Sequence, residues 1–383
     1  MSRSDLLVVA GEASGDLHAA RLMRELFRRR PGVRAFGLGS DELRASGVDL
    51  LADSREIAVV GIVEALSILS RAREIFDRLL AAVEQRRPRV ALLVDFPEFN
   101  LRLAKELRWR GVRVVYYVSP QVWAWRRWRV RSMAETVDRM LVLFPFEAAF
   151  YEPAGIAVTH VGHPLVDEVP SLPQAWDTVA KGELPAKARL ALLPGSRRSE
   201  VAALLPVMLA AARRLGARLP ISIALVRAPS ISAEELAPYL AAEPGLAVEL
   251  IDEDRFAAVA NAHLALCASG TATLETGLLG TPMIVLYRLS RWTWLLARLL
   301  VRVPHASLVN LVLERSVVRE LMQHEASPEP VAAEAERLLR SRPAVDRMRA
   351  GLAELRGRLG RPGASERAAA EVALLLDRGE RAA

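Results

Sequence analysis

Short runs of apolar residues recur along the chain, separated by longer stretches in which apolar residues return with a helical period. In the first half the runs are LLVVA, VRAFGLG, RVALLVDF, VRVVYYV and DRMLVLF. The second half repeats the arrangement with RLALLPGS, ISIALV, LAVELI, HLALCASG and TPMIVLY. Apolar runs without polar alternation are typical of parallel strands that helices cover on both faces. The pattern therefore predicts two Rossmann-like α/β domains facing a cleft.

A proline-rich stretch, VGHPLVDEVPSLPQAWDT, interrupts the alternation at 161–178. We expect the domain boundary there, because linkers between domains are commonly rich in proline and polar residues. The predicted organisation is an N-terminal domain at 1–165, a C-terminal domain at 166–340 and a helical tail at 341–383. The tail carries an apolar stripe that consists of Val372, Leu375 and Leu376. This stripe needs burial, either on the N-terminal domain or on a partner subunit.

The composition is that of a globular chain with a basic balance. Its 383 residues are 52% hydrophobic and 25% charged, which excludes a disordered protein and allows a sizeable core. No apolar run approaches the ~20 residues that span a bilayer, and MSRSDLLVV enters a strand pattern without the features of a signal peptide. The lone Cys267 excludes an internal disulfide and fits a cytoplasmic location. The net charge of +7 suits an anionic partner, whether nucleotide, membrane surface or nucleic acid.

One glycine turn of the second half has the composition of a phosphate-binding site. LALLPGSRRSEV at 190–201 passes from a strand through a turn into a helix, and the turn carries Gly195, Ser196 and Arg197. Gly195 lets a ligand approach the backbone, Ser196 offers a hydroxyl, and Arg197 can pair with a phosphate through two donors. The alternative is an ordinary helix cap with solvated arginines.

A second turn, CASGTATLE at 267–275, follows the strand HLAL. The N–H groups of Ser269, Gly270 and Thr271 open a helix and can bind an anion. Glu275, one turn further on, can accept hydrogen bonds from ribose hydroxyls, although a plain cap with a helical glutamate is the alternative. Both turns follow strands of one parallel sheet, so both should open at its carboxyl edge, where ligands bind. Together they predict a site for a nucleotide diphosphate.

The first half carries acids at the corresponding places. AGEASGD at 10–16 is a strand–turn–helix junction with Glu12 and Asp16 but no cation, so phosphate is not its expected ligand. LLVDFPEFN at 92–100 ends a buried strand with Asp95, which partial burial can poise as a general base. Glu98 is the rival for that role, and an aspartate that only shapes a turn is the alternative.

Three further segments combine aromatic or apolar residues with arginine, and they are 59–76, 118–133 and 291–304. Each fits either an amphipathic element at a lipid surface or a helix with one core face. The segment at 118–133, with interleaved Trp and Arg, has the composition that can also stack nucleic-acid bases. The acids at 252–254 fit a helix cap better than a metal site, and His160 and His163 lack a third ligand, so no metal is expected.

Eight motifs occur in an order and spacing that cover essentially the whole chain: AGEASGD, AVVGIVEAL, DFPEFN, YVSPQVWAWR, FPFE, GHPLVD, LLPGSR and ASGTATLE. Together they resemble the lipid-A-disaccharide synthases, bacterial glycosyltransferases of the GT-B fold. One position departs from that pattern, because Val309 stands in SLVNLV where the family has proline. The resemblance implies that UDP-2,3-diacylglucosamine is joined to 2,3-diacylglucosamine 1-phosphate in a β-1,6 linkage, with release of UDP and without metal or cofactor.

The resemblance also implies roles for individual residues. Asp95 would be the catalytic carboxylate, and Arg197, Glu275 and Asn310 would belong to the donor side. Ser14 would belong to the active-site loop of the first domain. Since the phosphate turns lie in the second half, we expect the acidic turn on the acceptor side, where its acids accept from sugar hydroxyls or pair with arginines. The residues of that turn are Gly11, Glu12, Ser14, Gly15 and Asp16.

Acylated substrates imply a peripheral position at the inner face of the bacterial inner membrane. The expected lipid contacts, helped by the positive charge, are Ile62, Leu66, Leu69, Trp292 and Trp294. A homodimer is compatible with the helical tail, and no nucleic-acid partner is expected. Two alternatives are kept: a UDP-sugar epimerase of the same two-domain fold, and a non-enzymatic RNA- or membrane-binding protein that uses the Trp/Arg segment.

Overall fold

The computed structural model describes residues 4–57, 65–180, 183–290, 294 and 303–380, with the backbone alone at 65–69 and 378–380. The chain divides into two compact units. The first unit comprises Met1–Pro164 with Gly360–Ala383, and the second comprises Leu165–Leu359. The expected helical tail is therefore not one piece. Residues 341–359 belong to the second unit, and only the last helix returns to the first.

The first unit is built on a seven-stranded sheet. Its strands are β1 (Leu6–Ala10), β2 (Ala35–Gly39), β3 (Asp49–Asp53), β4 (Val90–Val94), β5 (Arg113–Tyr117), β6 (Arg139–Val142) and β7 (Val158–His160). All neighbours are parallel, in the order β3-β2-β1-β4-β5-β6-β7. Its helices before the boundary are α1 (Ala13–Arg29), α2 (Asp41–Ala45), α3 (Ala65–Arg86), α4 (Pro97–Trp109), α5 (Val122–Trp125), α6 (Arg129–Thr136) and α7 (Pro145–Tyr151).

Helices bury this sheet on both faces, as the unbroken apolar runs predict. Leu7 and Val9 of β1 point into one core, which α3, α4 and α6 cover. Leu6 and Val8 point into the other core, which α1 covers. Because successive side chains of a strand point to opposite faces, a strand buried on both sides has no position left for a polar residue.

The second unit repeats the plan with a six-stranded sheet. Its strands are β8 (Ala188–Leu193), β9 (Ile221–Val226), β10 (Val248–Ile251), β11 (Leu264–Ala268), β12 (Met283–Tyr287) and β13 (Arg319–Met322). All are parallel, in the order β10-β9-β8-β11-β12-β13. Its helices are α8 (Leu165–Glu168), α9 (Arg198–Gly216), α10 (Ala233–Ala241), α11 (Arg255–Ala260), α12 (Thr271–Leu278), α13 (Leu308–Leu313), α14 (Pro328–Leu339), α15 (Arg342–Ala353) and α16 (Leu355–Leu359). The predicted pair of Rossmann-like domains is confirmed.

In each sheet the strand order reverses beside the first strand. β1 lies between β2 and β4, and β8 lies between β9 and β11. In the first unit α1 packs on one face of the sheet and α4 packs on the other. The loops that leave β1 and β4 therefore diverge and open a crevice at the carboxyl edge, which is the usual ligand position in such sheets.

The last helix, α17 (Ala364–Glu380), covers the face of the first unit that also carries α1. The stripe predicted to need burial, Val372, Leu375 and Leu376, is buried in that core. Arg113 Nη1 donates to the carbonyl oxygen of Leu375 at 3.1 Å, and Arg30 pairs with Asp377. The apolar face of the helix is thus buried within its own chain.

We expect Leu376→Ala to destabilise the first unit by about 2–5 kcal/mol, because the deletion leaves a cavity in a closed core. The matched control is Leu374→Ala on the same helix, whose side chain is 52% exposed and whose loss should cost within about 0.5 kcal/mol. Differential scanning calorimetry of both variants measures the difference. Equal shifts in the unfolding transition would show that the helix is not packed as described.

Candidate active site

The carboxyl edge of the first sheet brings together two of the predicted motifs. β1 and β4 are neighbours, with Ala10 opposite Val94, so the turn of AGEASGD lies beside DFPEFN. A Cβ on Gly11 would lie 2.2 Å from Cγ of Phe96, and a Cβ on Gly15 would lie 3.7 Å from Cβ of Asp95. Gly11 is therefore needed for the close approach of the two loops.

Asp95 and Phe96 both have a left-handed backbone, with φ of 49° each. This conformation is unusual for non-glycine residues and persists only where neighbours hold it. The carbonyl oxygen of Asp95 accepts from Tyr116 Oη at 2.6 Å and from Asn100 Nδ2 at 2.8 Å. The N–H of Asp95 donates to the carbonyl of Tyr117 at 3.0 Å. The backbone is thus fixed by hydrogen bonds, while the half-buried carboxylate lies at the edge of the sheet.

The two candidate bases differ in the direction of their pKa shifts. Burial, and after it the negative charge of Glu12, raise the pKa of Asp95 to about 6, against the opposing effect of a hydrogen bond from Phe96. In contrast, hydrogen bonding to Arg129 lowers the pKa of Glu98, whose carboxylate also pairs with Arg126. Of the two, only Asp95 has a pKa near the range that suits a proton acceptor at neutral pH.

The residues of the acidic turn differ in their surroundings. Glu12 and Ser14 are exposed, whereas Asp16 is 2% exposed. The Asp16 carboxylate accepts from the N–H groups of Ser40 at 2.6 Å, Glu42 at 3.1 Å and Leu43 at 3.3 Å. It therefore holds the N-terminus of α2, where backbone donors need partners. The expectation that Asp16 accepts from sugar hydroxyls or pairs with an arginine stays a prediction, and the partners seen here are backbone N–H groups.

A buried glutamate in the first unit was missed by sequence reasoning. Glu147 accepts from Ser119 Oγ at 2.5 Å, from Trp123 Nε1 at 3.2 Å and from the N–H of Phe144 at 3.0 Å. Burial raises its pKa to about 7, against these hydrogen bonds. Trp123 is therefore a core residue, whereas Trp128 is 72% exposed. The glutamate in FPFE, three residues after the helix cap, is the signal that could have indicated it.

The two predicted phosphate turns lie side by side in the second unit. β8 and β11 are neighbours, with Leu193 opposite Cys267, so both turns open at the same carboxyl edge. Gly195 and Gly270 have φ of 112° and 154°, which only glycine adopts readily. The Ser269 hydroxyl donates to the carbonyl of Ala306 at 2.8 Å. The two turns therefore open at the same sheet edge, as the sequence predicts. The Ser269 hydroxyl, however, already has a hydrogen-bond partner within the protein.

The turn at Gly195 already holds an anion supplied by the chain. The carboxylate of Glu200 accepts from the N–H of Ser196 at 3.1 Å, from the N–H of Arg197 at 3.4 Å and from Arg197 Nη1 at 3.1 Å. This is a capping box of α9, in which the third helical residue reaches back to the cap. The groups that are predicted to bind phosphate therefore already have a partner within the chain, the carboxylate of Glu200.

Glu275 lies in the first turns of α12 at the same edge. Arg255 Nη2 donates to its Oε1 at 3.3 Å. Burial raises the pKa of Glu275, and the charge of Arg255 opposes the shift. Thr271, at the start of α12, is exposed. Glu275 thus combines partial burial with one charged partner.

Asn310 is 1% exposed and has all its hydrogen-bonding groups engaged. Its Nδ2 donates to the carbonyl of Val318 at 2.9 Å and to Glu320 Oε1 at 2.8 Å, and its Oδ1 accepts from the N–H groups of Val317 and Val318. These hydrogen bonds fix the segment before β13, and the role of Asn310 on the donor side stays a prediction. Val309 lies in the first turn of α13, where proline is also tolerated.

The expected lipid contacts fall largely outside the described residues. Ile62 and Trp292 lie outside them, and only the backbone is described for Leu66 and Leu69 in α3. The N–H of Trp294 donates to the carbonyl of Ser290 at 2.9 Å. Among the helices that the structure describes, none is long and apolar enough to cross a membrane. Within the same residues no group of three His, Cys, Asp or Glu side chains could hold a metal.

Solved structures of low sequence identity share this architecture. The calicheamicin glycosyltransferase CalG4 aligns with a TM-score of 0.58 and 16% identity, over 99% of each chain. A putative UDP-N-acetylglucosamine 2-epimerase from Listeria monocytogenes aligns with a TM-score of 0.61 and 13% identity, over 100% of this chain and 98% of its own. The fold is therefore the two-domain GT-B type, which is found in transferases and epimerases alike.

Sequence comparison narrows this class to one family. The family model of lipid-A-disaccharide synthetase matches residues 6–369. Lipid-A-disaccharide synthase of Anaeromyxobacter dehalogenans strain 2CP-1 is 48% identical over 368 residues, which is 96% of each chain. The chain belongs to the lipid-A-disaccharide synthase family and is a glycosyltransferase, as the motifs indicate. This membership favours the transferase over the epimerase.

We expect Glu12→Gln to lower the pKa of Asp95 from about 6, because the charge of Glu12 is one of the two causes that raise it. The carboxylate form would then persist to lower pH. Carbon-13 NMR titration of the aspartate carboxyl groups, with Asp95→Asn to assign the signal, measures the change. Glu25→Gln, which removes an acid paired with Arg28 further along α1, is the control. An unchanged pKa in Glu12→Gln would leave burial as the whole cause.

Proposed function

We propose that this protein is an inverting transferase that joins UDP-2,3-diacylglucosamine to 2,3-diacylglucosamine 1-phosphate. The products would be the β-1,6-linked disaccharide 1-phosphate and UDP. Family membership over residues 6–369 supports this reaction. The observation that carries the mechanism is Asp95, a half-buried carboxylate with a pKa of about 6 at the point where the strand order reverses.

The donor's diphosphate would bind at the two glycine turns of the second unit. Backbone N–H groups at Gly195, Ser196, Ser269, Gly270 and Thr271, together with the guanidinium of Arg197, would neutralise the charge that develops on the leaving UDP. Glu275 would accept hydrogen bonds from the ribose hydroxyls. The adjacency of these turns at one sheet edge supports a single shared site.

Asp95 would act as the general base of a single displacement. Its carboxylate accepts the proton of the acceptor's 6-hydroxyl while that oxygen forms a bond to the anomeric carbon. The bond from the anomeric carbon to the diphosphate oxygen breaks on the opposite side, and the electron pair leaves with UDP. Exposed Ser14 and Glu12, next to Asp95, would contact the acceptor sugar.

We expect Asp95→Asn to lower kcat by about 10²–10⁴-fold, because loss of a general base typically costs that much. In the wild type the rate should rise as the pH passes about 6, since only the ionised carboxylate accepts a proton. Glu98→Gln is the control and should cost far less, because arginines pair with that carboxylate. A near-normal rate for Asp95→Asn would assign the base elsewhere.

The reaction itself is tested by UDP release from both acylated substrates in detergent micelles, with each substrate omitted in turn. The proposal requires release only when both are present, together with formation of the disaccharide. The epimerase alternative predicts conversion of UDP-N-acetylglucosamine alone, without any lipid. That result, with no disaccharide formed, would overturn the transferase.

The acylated substrates also lead us to propose peripheral binding at an anionic membrane surface. The apolar residues Ile62, Leu66 and Leu69, with Trp292 and Trp294, are the proposed contacts, and the net charge of +7 supports attraction to anionic lipid. Flotation with anionic vesicles should show binding by the wild type and a loss when Ile62, Leu66 and Leu69 all become Ser. Unchanged flotation of that variant would contradict this assignment of the contacts.

A further inference from the structure

The groups proposed to hold the donor's diphosphate are engaged by a carboxylate of the chain itself. Glu200 Oε2 accepts from the N–H groups of Ser196 and Arg197, and Oε1 accepts from Arg197 Nη1. The contact is close, because a Cβ on Gly195 would lie 2.4 Å from Glu200 Oε2. Glycine at this position is therefore what admits the carboxylate.

This carboxylate is an anion in an anion site. A phosphate that meets the same N–H groups must either displace the Glu200 side chain or lie within a few ångströms of its charge. The Glu200 side chain is 28% exposed, so solvent screens this repulsion only in part. Either event makes diphosphate binding weaker than the turn alone would allow.

Nearby residues do not relieve the competition. Arg197, the cation of the turn, is itself bound to Glu200, and Arg198 pairs with Glu235. Burial raises the pKa of the Tyr287 hydroxyl at the end of β12, the charge of Glu200 raises it as well, and the charge of Arg197 opposes the shift. The charge of the Glu200 carboxylate thus opposes that of Arg197 at the turn.

We propose that Glu200 is an internal competitor that holds the turn in shape when no nucleotide is bound and weakens retention of UDP after the reaction. This inference rests on the proposed function, because it concerns the same donor site. Its consequence is faster product release: when UDP leaves, the carboxylate is ready to take back the N–H groups. The residue is a positioning residue, since it acts on the ligand through the turn.

The test compares UDP binding by the wild type, Glu200→Gln and Glu200→Asp in isothermal titration calorimetry. Glutamine keeps an oxygen that can accept from the turn but removes the charge, so we expect UDP to bind about tenfold more tightly. Aspartate keeps the charge and should bind UDP as the wild type does. Uridine, which carries no phosphate, should bind Glu200→Gln and the wild type within about twofold.

Glu249→Gln is the control for net charge, because it removes another acid of the second unit that pairs with Arg189 in β8. It should leave UDP affinity unchanged. Unchanged or weaker UDP binding by Glu200→Gln would overturn the inference, and so would an equal gain for uridine. Failure of the wild type to bind UDP at all would instead remove the proposed donor site.

Discussion

The whole molecule depends on one constraint: both sheets are parallel, and in each the strand order reverses beside the first strand. Connections between parallel strands are right-handed, so helices that leave on the two sides of this strand must cover opposite faces. The loops at the reversal diverge and cannot fill the space between them. In the first unit this space lies between AGEASGD and DFPEFN, and in the second it lies between the two glycine turns.

The backbone conformation that places the Asp95 carboxylate at the sheet edge is energetically unfavourable by itself. Left-handed conformations at Asp95 and Phe96 are unfavourable by about 1–3 kcal/mol each for non-glycine residues. Tyr116 and the fully buried Asn100 offset this by donating to the carbonyl of Asp95. The carboxylate is therefore presented at the sheet edge by a backbone that Tyr116 and Asn100 hold in place. Its raised pKa follows from the burial that this arrangement imposes.

Carboxylates near the two sites fall into two kinds. Asp16, Glu147 and Glu200 accept hydrogen bonds from backbone N–H groups and so hold loops in place. The Asp95 carboxylate instead accepts from the N–H of the adjacent Phe96 and lies at the edge of the sheet, where burial and the charge of Glu12 raise its pKa to about 6. In the sequence these residues look alike, because each stands beside a turn and a helix start. They differ in where the side chain points, because this decides which backbone N–H groups each carboxylate reaches.

The sequence by itself determined the fold class and the family, and it indicated the strand ends at which both sites are proposed. Unbroken apolar runs require strands that are buried on two faces. Glycines and acidic residues at strand ends are local features, so they can be recognised directly in the amino-acid sequence. Only the tertiary structure decided that the side chains of Asn310 and Asp16 form hydrogen bonds within the chain, and that Glu200 lies on the turn at Gly195. The tertiary structure also shows that the predicted tail is divided between the two units. Only α17 belongs to the first unit, because its apolar stripe is buried in the core beside α1. The physical reason is that burial and hydrogen-bond partners come from residues distant in the chain, which no local pattern records.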